Sequence, residues 1–193
     1  MKKTLALTAT IVALTFTAPT VVAANEAGDS DTTVYTVRDD SRPVVDGKVV
    51  PHLNPVVIAE CNLGVEDTKI GSVETKKDGK RTLKCGNKGW GYIHIRTRHE
   101  KDWKTVNKDT IMNWPFWDDL MWDATQEVLE DPDFHLEKKN NKRCYTKKFK
   151  ILYTGKEEGD DAYEVEFYPS VIVATDSDRI ITSIPTKEHL CQP

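Results

Sequence analysis

Tyr145-Thr146-Lys147-Lys148-Phe149-Lys150-Ile151-Leu152-Tyr153 and Tyr163-Glu164-Val165-Glu166-Phe167 are the stretches that decide the fold. In the first, Tyr145, Phe149, Ile151 and Tyr153 alternate with Thr146, Lys148 and Lys150. In the second, Tyr163, Val165 and Phe167 alternate with Glu164 and Glu166. A period of two marks half-buried strands. Thr154-Gly155-Lys156-Glu157-Glu158-Gly159 between them has the composition of a hairpin loop. Pairing the two strands lets Lys148 and Lys150 face Glu164 and Glu166 on the solvent side. Val171–Thr175 and Arg179–Ile184 read as a second hairpin around Asp176-Ser177-Asp178. The expected result is a four-stranded antiparallel sheet.

The chain before this sheet is helical in its middle. Trp117, Leu120, Met121, Ala124 and Val128 follow a 3.6-residue period, with Pro115 near the start and Asp131-Pro132 at the stop. Asp118, Asp119 and Asp123 lie early in that helix, where its dipole favours negative charge. All five tryptophans fall between Trp90 and Trp122. They suit helix-to-sheet packing, the competing account being a platform for base stacking. Helices followed by strands make the fold α+β, and disulfides are expected to stabilise it. Further upstream, Val34-Tyr35-Thr36-Val37 and Val56-Val57-Ile58-Ala59 are short β-like runs, interrupted by Pro43, Pro51 and Pro55. Asp46-Gly47, between Val44-Val45 and Val49-Val50, signals a hairpin, and Asp78-Gly79 a turn within the basic stretch Lys76–Lys84. Asn25–Thr33 reads as a loose mature N-terminus, and residues 34–193 as one α+β domain.

Met1–Ala24 stands apart. Lys2 and Lys3 precede an apolar stretch, Leu5–Phe16, and Thr20-Val21-Val22-Ala23-Ala24 closes it with small residues. That order is a secretory signal peptide, cleaved near Ala23-Ala24, and it predicts a secreted protein. Two lysines leave with it, taking the net charge from −4 to −6. No uninterrupted apolar run reaches the ~20 residues that span a bilayer, and no repeat of 20–50 residues is present. Export also makes disulfides stable. Cys61, Cys85, Cys144 and Cys191 are even in number and lack any C-x-x-C spacing. Of three possible pairings, Cys61–Cys85 with Cys144–Cys191 is favoured because each closes one half of the chain; the sequence does not decide among them.

The chemistry concentrates in Gly89-Trp90-Gly91-Tyr92-Ile93-His94-Ile95-Arg96-Thr97-Arg98-His99-Glu100-Lys101-Asp102-Trp103. On a helix His94 and Arg98 share a face and His99 is turned well away. On a strand His94, Arg96 and Arg98 align. Either arrangement sets a titratable imidazole beside a fixed cation, as phosphoryl chemistry requires. The alternative is a solvated amphipathic helix with one packed histidine. His94 and His99 are five apart, not the four of H-E-x-x-H, and His52, His135 and His189 are scattered, so no metal site and no cofactor are expected. Neither a G-x-S-x-G elbow nor a glycine-rich phosphate loop is present, and Ser72 and Ser170 lack a recognisable partner. Lys138, Lys139, Lys142, Arg143, Lys147, Lys148 and Lys150 put seven cations in thirteen residues. Such density attracts a polyanion, or else protects an edge strand.

The stretch Gly91-Tyr92-Ile93-His94-Ile95-Arg96-Thr97-Arg98-His99 with Trp103 resembles the ribonuclease domains of bacterial polymorphic toxins. So does Val171–Thr175 with Arg179-Ile180-Ile181-Thr182-Ser183-Ile184-Pro185. These blocks are similar to the superfamily that unites barnase, EndoU and RelE-like domains, and cover about thirty residues. The resemblance implies helices before a curved four-stranded antiparallel sheet. It implies His94 or His99 as acid or base, Arg98 as the phosphate-binding cation and Thr182 as a strand residue at the active face. Arg96, Lys147, Lys148 and Trp90 are the expected substrate-binding residues. The resulting expectation is a secreted, metal-independent endoribonuclease that uses 2′-OH attack. Its partners would be RNA and a protein inhibitor, with the mature chain a monomer that does not engage the membrane. The other reading is a non-catalytic secreted binding domain that kept the fold and recognises an acidic partner.

Overall fold

The computed structural model describes residues 33–37, 44–45, 48–49, 53–109, 114, 116–153, 163–188 and 190–191. Side chains are placed for all of these except 33–37, 44–45, 48–49, 109, 152–153 and 163–164. The expected signal segment 1–24, Asp46-Gly47, Pro115 and the expected hairpin loop 154–159 lie outside the described residues, as do His52 and His189.

In chain order the elements are β1 (Thr33–Val37), β2 (Val44–Val45), β3 (Lys48–Val49), α1 (Pro55–Asn62), β4 (Lys69–Thr75) and β5 (Gly79–Lys84). Then come α2 (Gly91–Asp109), α3 (Trp117–Glu130), β6 (Phe134–Lys138), β7 (Lys142–Thr146), β8 (Phe149–Tyr153), β9 (Tyr163–Ala174) and β10 (Ile180–Thr186). The α+β class stands, but the sheet is larger than the expected four strands. It has six, in the order β1-β8-β9-β7-β6 with β10 also on β9, and β1 pairs with β8 in parallel. Strand β6 is the strand of this sheet that the sequence reading passed over, as it did the separate β4–β5 pair around the Asp78-Gly79 turn. The signal of β6 is Phe134 and Leu136 in alternation before Asn140 and Asn141, both of which take positive φ in the turn to β7. Asparagine tolerates that conformation better than most residues.

The single run Tyr145–Tyr153 is two strands, and the runs ending at Phe167 and starting at Val171 are one. β7 and β8 both pair antiparallel with β9, Thr146 opposite Ser170 and Phe149 opposite Phe167, so one register continues across the gap. The gap falls opposite Pro169, which has no N–H to give the ladder. There the Lys147 N–H donates to the Pro169 carbonyl at 3.4 Å. The alternation survives the interruption. Tyr145, Phe149 and Ile151 are buried, and Lys148 and Lys150 reach Glu166 on the other face at 3.1 and 4.0 Å. The opposite number of Glu164 is Leu152.

Val56–Ala59 is helix, not strand. The Asn54 side chain accepts from the Val56 N–H, Pro55 opens the first turn and the Cys61–Cys85 disulfide fixes the last. A side-chain cap and a proline at the helix start override the β-propensity of two valines and an isoleucine. The second disulfide is Cys144–Cys191, so the favoured pairing is the one present. Helix α3 begins and ends where its periodicity and Asp131-Pro132 predict. Helices α2 and α3 cover one face of the sheet, burying Trp103, Leu120, Met121 and Val128 against Tyr145, Val171, Val173 and Ile180. Trp103 and Trp122 are buried, and Trp114 and Trp117 pack at the core margin, which is the packing role.

Lys147 occupies an inward position of this alternation and is 3% exposed. Its ammonium meets Glu127 at 2.8 Å and Asp131 at 3.1 Å, at the C-terminal end of α3. Burial depresses the Lys147 pKa, but hydrogen bonds to the two carboxylates outweigh it and leave the net shift upward. Hydrogen bonds from Lys76 and Lys147 hold Asp131 below its ordinary value. The Lys147 contribution is therefore complete below the ordinary lysine range and fades at higher pH, whereas that of Asp131 is complete above the carboxylate range and fades in acid. Lys147→Met is expected to cost about 1–2 kcal/mol at neutral pH, since both carboxylates retain access to water. Urea melts at neutral pH and near pH 3 should show the variant losing less on acidification than the parent. Equal acid losses would mean the pair contributes nothing.

Candidate active site on helix α2

Gly86 and Gly91 make the turn that launches α2. Both have positive φ, and a Cβ on Gly86 would lie 2.1 Å from the Trp90 carbonyl, while one on Gly91 would lie 2.7 Å from that of Lys84. Neither position accepts a side chain. The turn is closed by Asn87, whose N–H donates to the Trp90 carbonyl at 2.9 Å, and by Ile93, whose N–H donates to Cys85 at 2.9 Å. Within this turn the Lys88 carbonyl stands 2.8 Å from His94 Nδ1. A carbonyl only accepts, so Nδ1 carries the proton and Nε2 is left as the reactive nitrogen.

His99 follows one and a half turns later, half-buried, with Nδ1 3.5 Å from an Asp102 carboxylate oxygen. Burial is the largest influence on this imidazole and lowers its pKa, opposed by the hydrogen bond that it donates to Asp102. The helical spacing suggests that His99 turns well away from His94, but the two rings lie edge to face with centroids 5.9 Å apart. Both side chains lean along the helix and close a gap that the backbone angle alone leaves open. Arg98 lies between them in sequence and is exposed. His94, His99 and Arg98 are thus gathered on one element, with Arg96 beside them. Arg96 donates to Asn62 and approaches Glu100 at 3.7 Å.

The remaining expected site residues are placed elsewhere. Trp90 lies under the Arg179 guanidinium at 5.1 Å, a cation–π contact that covers its ring. Arg179, from the turn before β10, thereby reaches the turn that holds His94; its place in the Asp176–Asp178 turn gave no hint of this. Lys147 is buried against α3 and Lys148 is paired with Glu166 across the sheet, so both cations are already engaged. The seven-cation stretch of β6–β8 is not one surface. Alternation splits it between two faces, and Arg143 is held by Asp78 and Glu137.

Thr182 is 4% exposed and its hydroxyl has no hydrogen-bond partner. It pairs with Ile172, while Ser183, next along β10, sends its hydroxyl to Thr125 of α3 at 2.8 Å. Neighbouring strand residues face opposite ways, which turns Thr182 away from α3.

A second polar cluster carries no sequence signature. Asp78, 8% exposed, receives the Tyr145 hydroxyl and ion pairs from Arg143 and, at 3.7 Å, Arg81. It ties the β4–β5 turn to the sheet. Burial raises the Tyr145 pKa despite the nearby Arg143, so the phenol donates as a neutral group. At its edge Lys77 meets His135 Nε2 at 3.0 Å. Among the described residues no three His, Cys, Asp or Glu side chains gather as a metal site, and no helix is long and apolar enough to cross a membrane.

Compared with protein-family models and with curated proteins, the chain matches none.

Because the Thr182 hydroxyl is buried without a partner, Thr182→Val is expected to melt no lower than the parent, and up to about 1 kcal/mol higher in stability. A loss above 1 kcal/mol would show that the hydroxyl is bonded in solution. Unchanged stability with lost RNA cleavage would return Thr182 to the active face.

Proposed function

We propose that the mature chain is a secreted endoribonuclease that cleaves RNA without a metal. The observation that carries this reading is the His94–His99 pair, 5.9 Å between ring centroids, with Arg98 beside it. Cleavage by 2′-OH attack needs one group to take a proton and another to give one, and a cation to bear the charge of the phosphorane. Burial favours neutral His99 near pH 7, which suits it to take the 2′-OH proton as O2′ bonds to phosphorus. His94 acts in its imidazolium form: Nδ1–H is held by the Lys88 carbonyl, and Nε2–H gives its proton to the departing O5′, leaving the neutral ring. Arg98 supplies two parallel N–H groups to the phosphoryl oxygens. The products are a 2′,3′-cyclic phosphate and a free 5′-hydroxyl. The two disulfides and the N-terminal segment are compatible with export.

Purified mature protein should degrade total RNA equally well with and without EDTA. His94→Ala or His99→Ala should lower turnover by about 10²–10⁴-fold, and Arg98→Lys should also impair it, with melting temperatures close to the parent's. Wild-type cleavage in all three variants would remove His94, His99 and Arg98 from the chemistry, and no cleavage by the parent would leave the non-catalytic binding domain as the reading. The pH profile is a separate check. The acid limb, set by deprotonation of the base, should have its midpoint below the ordinary histidine value of about 6.5. Asp102 raises the His99 pKa against the larger influence of burial, so Asp102→Asn should move that limb further toward acid. A limb that stays in place would remove His99 as the base.

A further inference from the structure

On the ribonuclease reading, we infer that the outer face of α2 is a track for the phosphates of single-stranded RNA, running from His94 to the end of the helix. His94, Lys101 and Lys108 are seven residues apart in turn, a spacing that returns almost to the same line of an α-helix. Arg98 and Lys104 flank that line, so from Arg98 to Lys108 the helix offers roughly one cation per turn, ~5 Å apart along its axis.

Arg98, Lys101, Lys104 and Lys108 are exposed, and with Arg96, Glu100 and two threonines they line an open groove of about 720 Å³. Glu100 is the one carboxylate among these lining residues, and it is engaged by Lys104 at 2.6 Å and Arg96 at 3.7 Å. Arg98, Lys101 and Lys108 form no ion pair with any described residue. The cations that crowd the sequence between Lys138 and Lys150 differ: four of the seven hold carboxylates. The other three, Lys138, Lys139 and Lys142, lie at the β6–β7 turn, so on the element that carries the histidines the unpaired cations are Arg98, Lys101 and Lys108. A flexible polyanion with evenly spaced single charges fits a linear row, whose ammonium groups bind as point charges without reading sequence. Lys101, Lys104 and Lys108 are assigned to phosphates beyond the one at the histidines.

The test uses the mature protein and an oligouridylate of about twelve nucleotides, 2′-O-methylated so that it cannot be cleaved, with binding read by fluorescence anisotropy across a salt series. The triple variant Lys101→Gln/Lys104→Gln/Lys108→Gln should bind about tenfold more weakly. Its slope of log affinity against log salt should be shallower by about 2, from three lost phosphate contacts at ~0.7 each. Lys69→Gln/Lys80→Gln/Lys187→Gln removes the same charge from exposed lysines elsewhere and should leave affinity and slope unchanged. Equal binding by parent and α2 variant, or equal losses in the two triple variants, would overturn the track. So would a parent that binds phosphatidylglycerol vesicles and not the oligonucleotide. Lysine-dependent binding by a parent that cleaves no RNA would sustain the track while the catalytic reading fails. Cleavage with binding indifferent to the α2 lysines would do the reverse.

Discussion

Strand β9 is the constraint on which the remaining layers depend. Its twelve residues hold β8 and β7 along one register and carry β10 as well. Pro169 interrupts hydrogen bonding in the middle of this long ladder without shifting register, so the faces on either side stay aligned. The buried face keeps Tyr145, Phe149 and Ile151 in line through the break, and Lys147 is carried inward with them. A lysine at that position is tolerated because α3 ends directly over it with two carboxylates, a favourable place for a cation at a helix C-terminus. The break, the buried ammonium and the end of α3 are therefore one solution to the loss of one ladder hydrogen bond.

The same strand determines how charge is distributed. Alternation sends neighbouring cations to opposite faces, so linear density between Lys138 and Lys150 does not become surface density. Arg143 is drawn into the Asp78 cluster, Lys147 beneath α3, and Lys148 and Lys150 onto Glu166. A helix does the opposite with a sparser set. Residues three, four and seven apart converge on one line, which is why Arg98, Lys101 and Lys108 add, while four of the seven cations in the denser stretch are taken up by carboxylates. A chain of net charge −4 can thus present a positive helix face.

The α+β order, helix α3, the hairpin ending in β10 and the presence of disulfides were legible because each rests on local periodicity or parity, whereas the pairing was favoured and not decided. What was not legible depended on partners distant in sequence. Val56–Ala59 looks like strand until Asn54 caps it and Cys61 is tied to Cys85. Tyr145–Tyr153 looks like one strand until Pro169 lies opposite. At the site, the placement of His94, Arg98 and His99 on one element was legible, whereas the approach of the two rings was not: it depends on side-chain direction, which spacing does not specify. Thr182 was assigned by resemblance alone, and the hydrogen bond of its neighbour Ser183 to α3 turns it away. Arg179 went unnoticed because its contact with Trp90 joins residues 89 positions apart.

These long-range ties bear on how oxidation and geometry are linked. His94 is oriented by a carbonyl in a turn that two glycines bend, that Arg179 covers from the β9–β10 hairpin, and that begins at Cys85. The Cys61–Cys85 bond holds that cysteine to α1, and Asn62 of the same helix accepts a hydrogen bond from Arg96. The bridge therefore fixes both the turn that orients one imidazole and Arg96, two residues from Arg98. An uncrosslinked chain leaves α1 to be held by the few contacts of a helix of eight residues, too short to be stable alone. Formation of the Cys61–Cys85 bond thus completes the platform on which His94 and Arg98 are set, and ties the geometry of this helix to an oxidising environment.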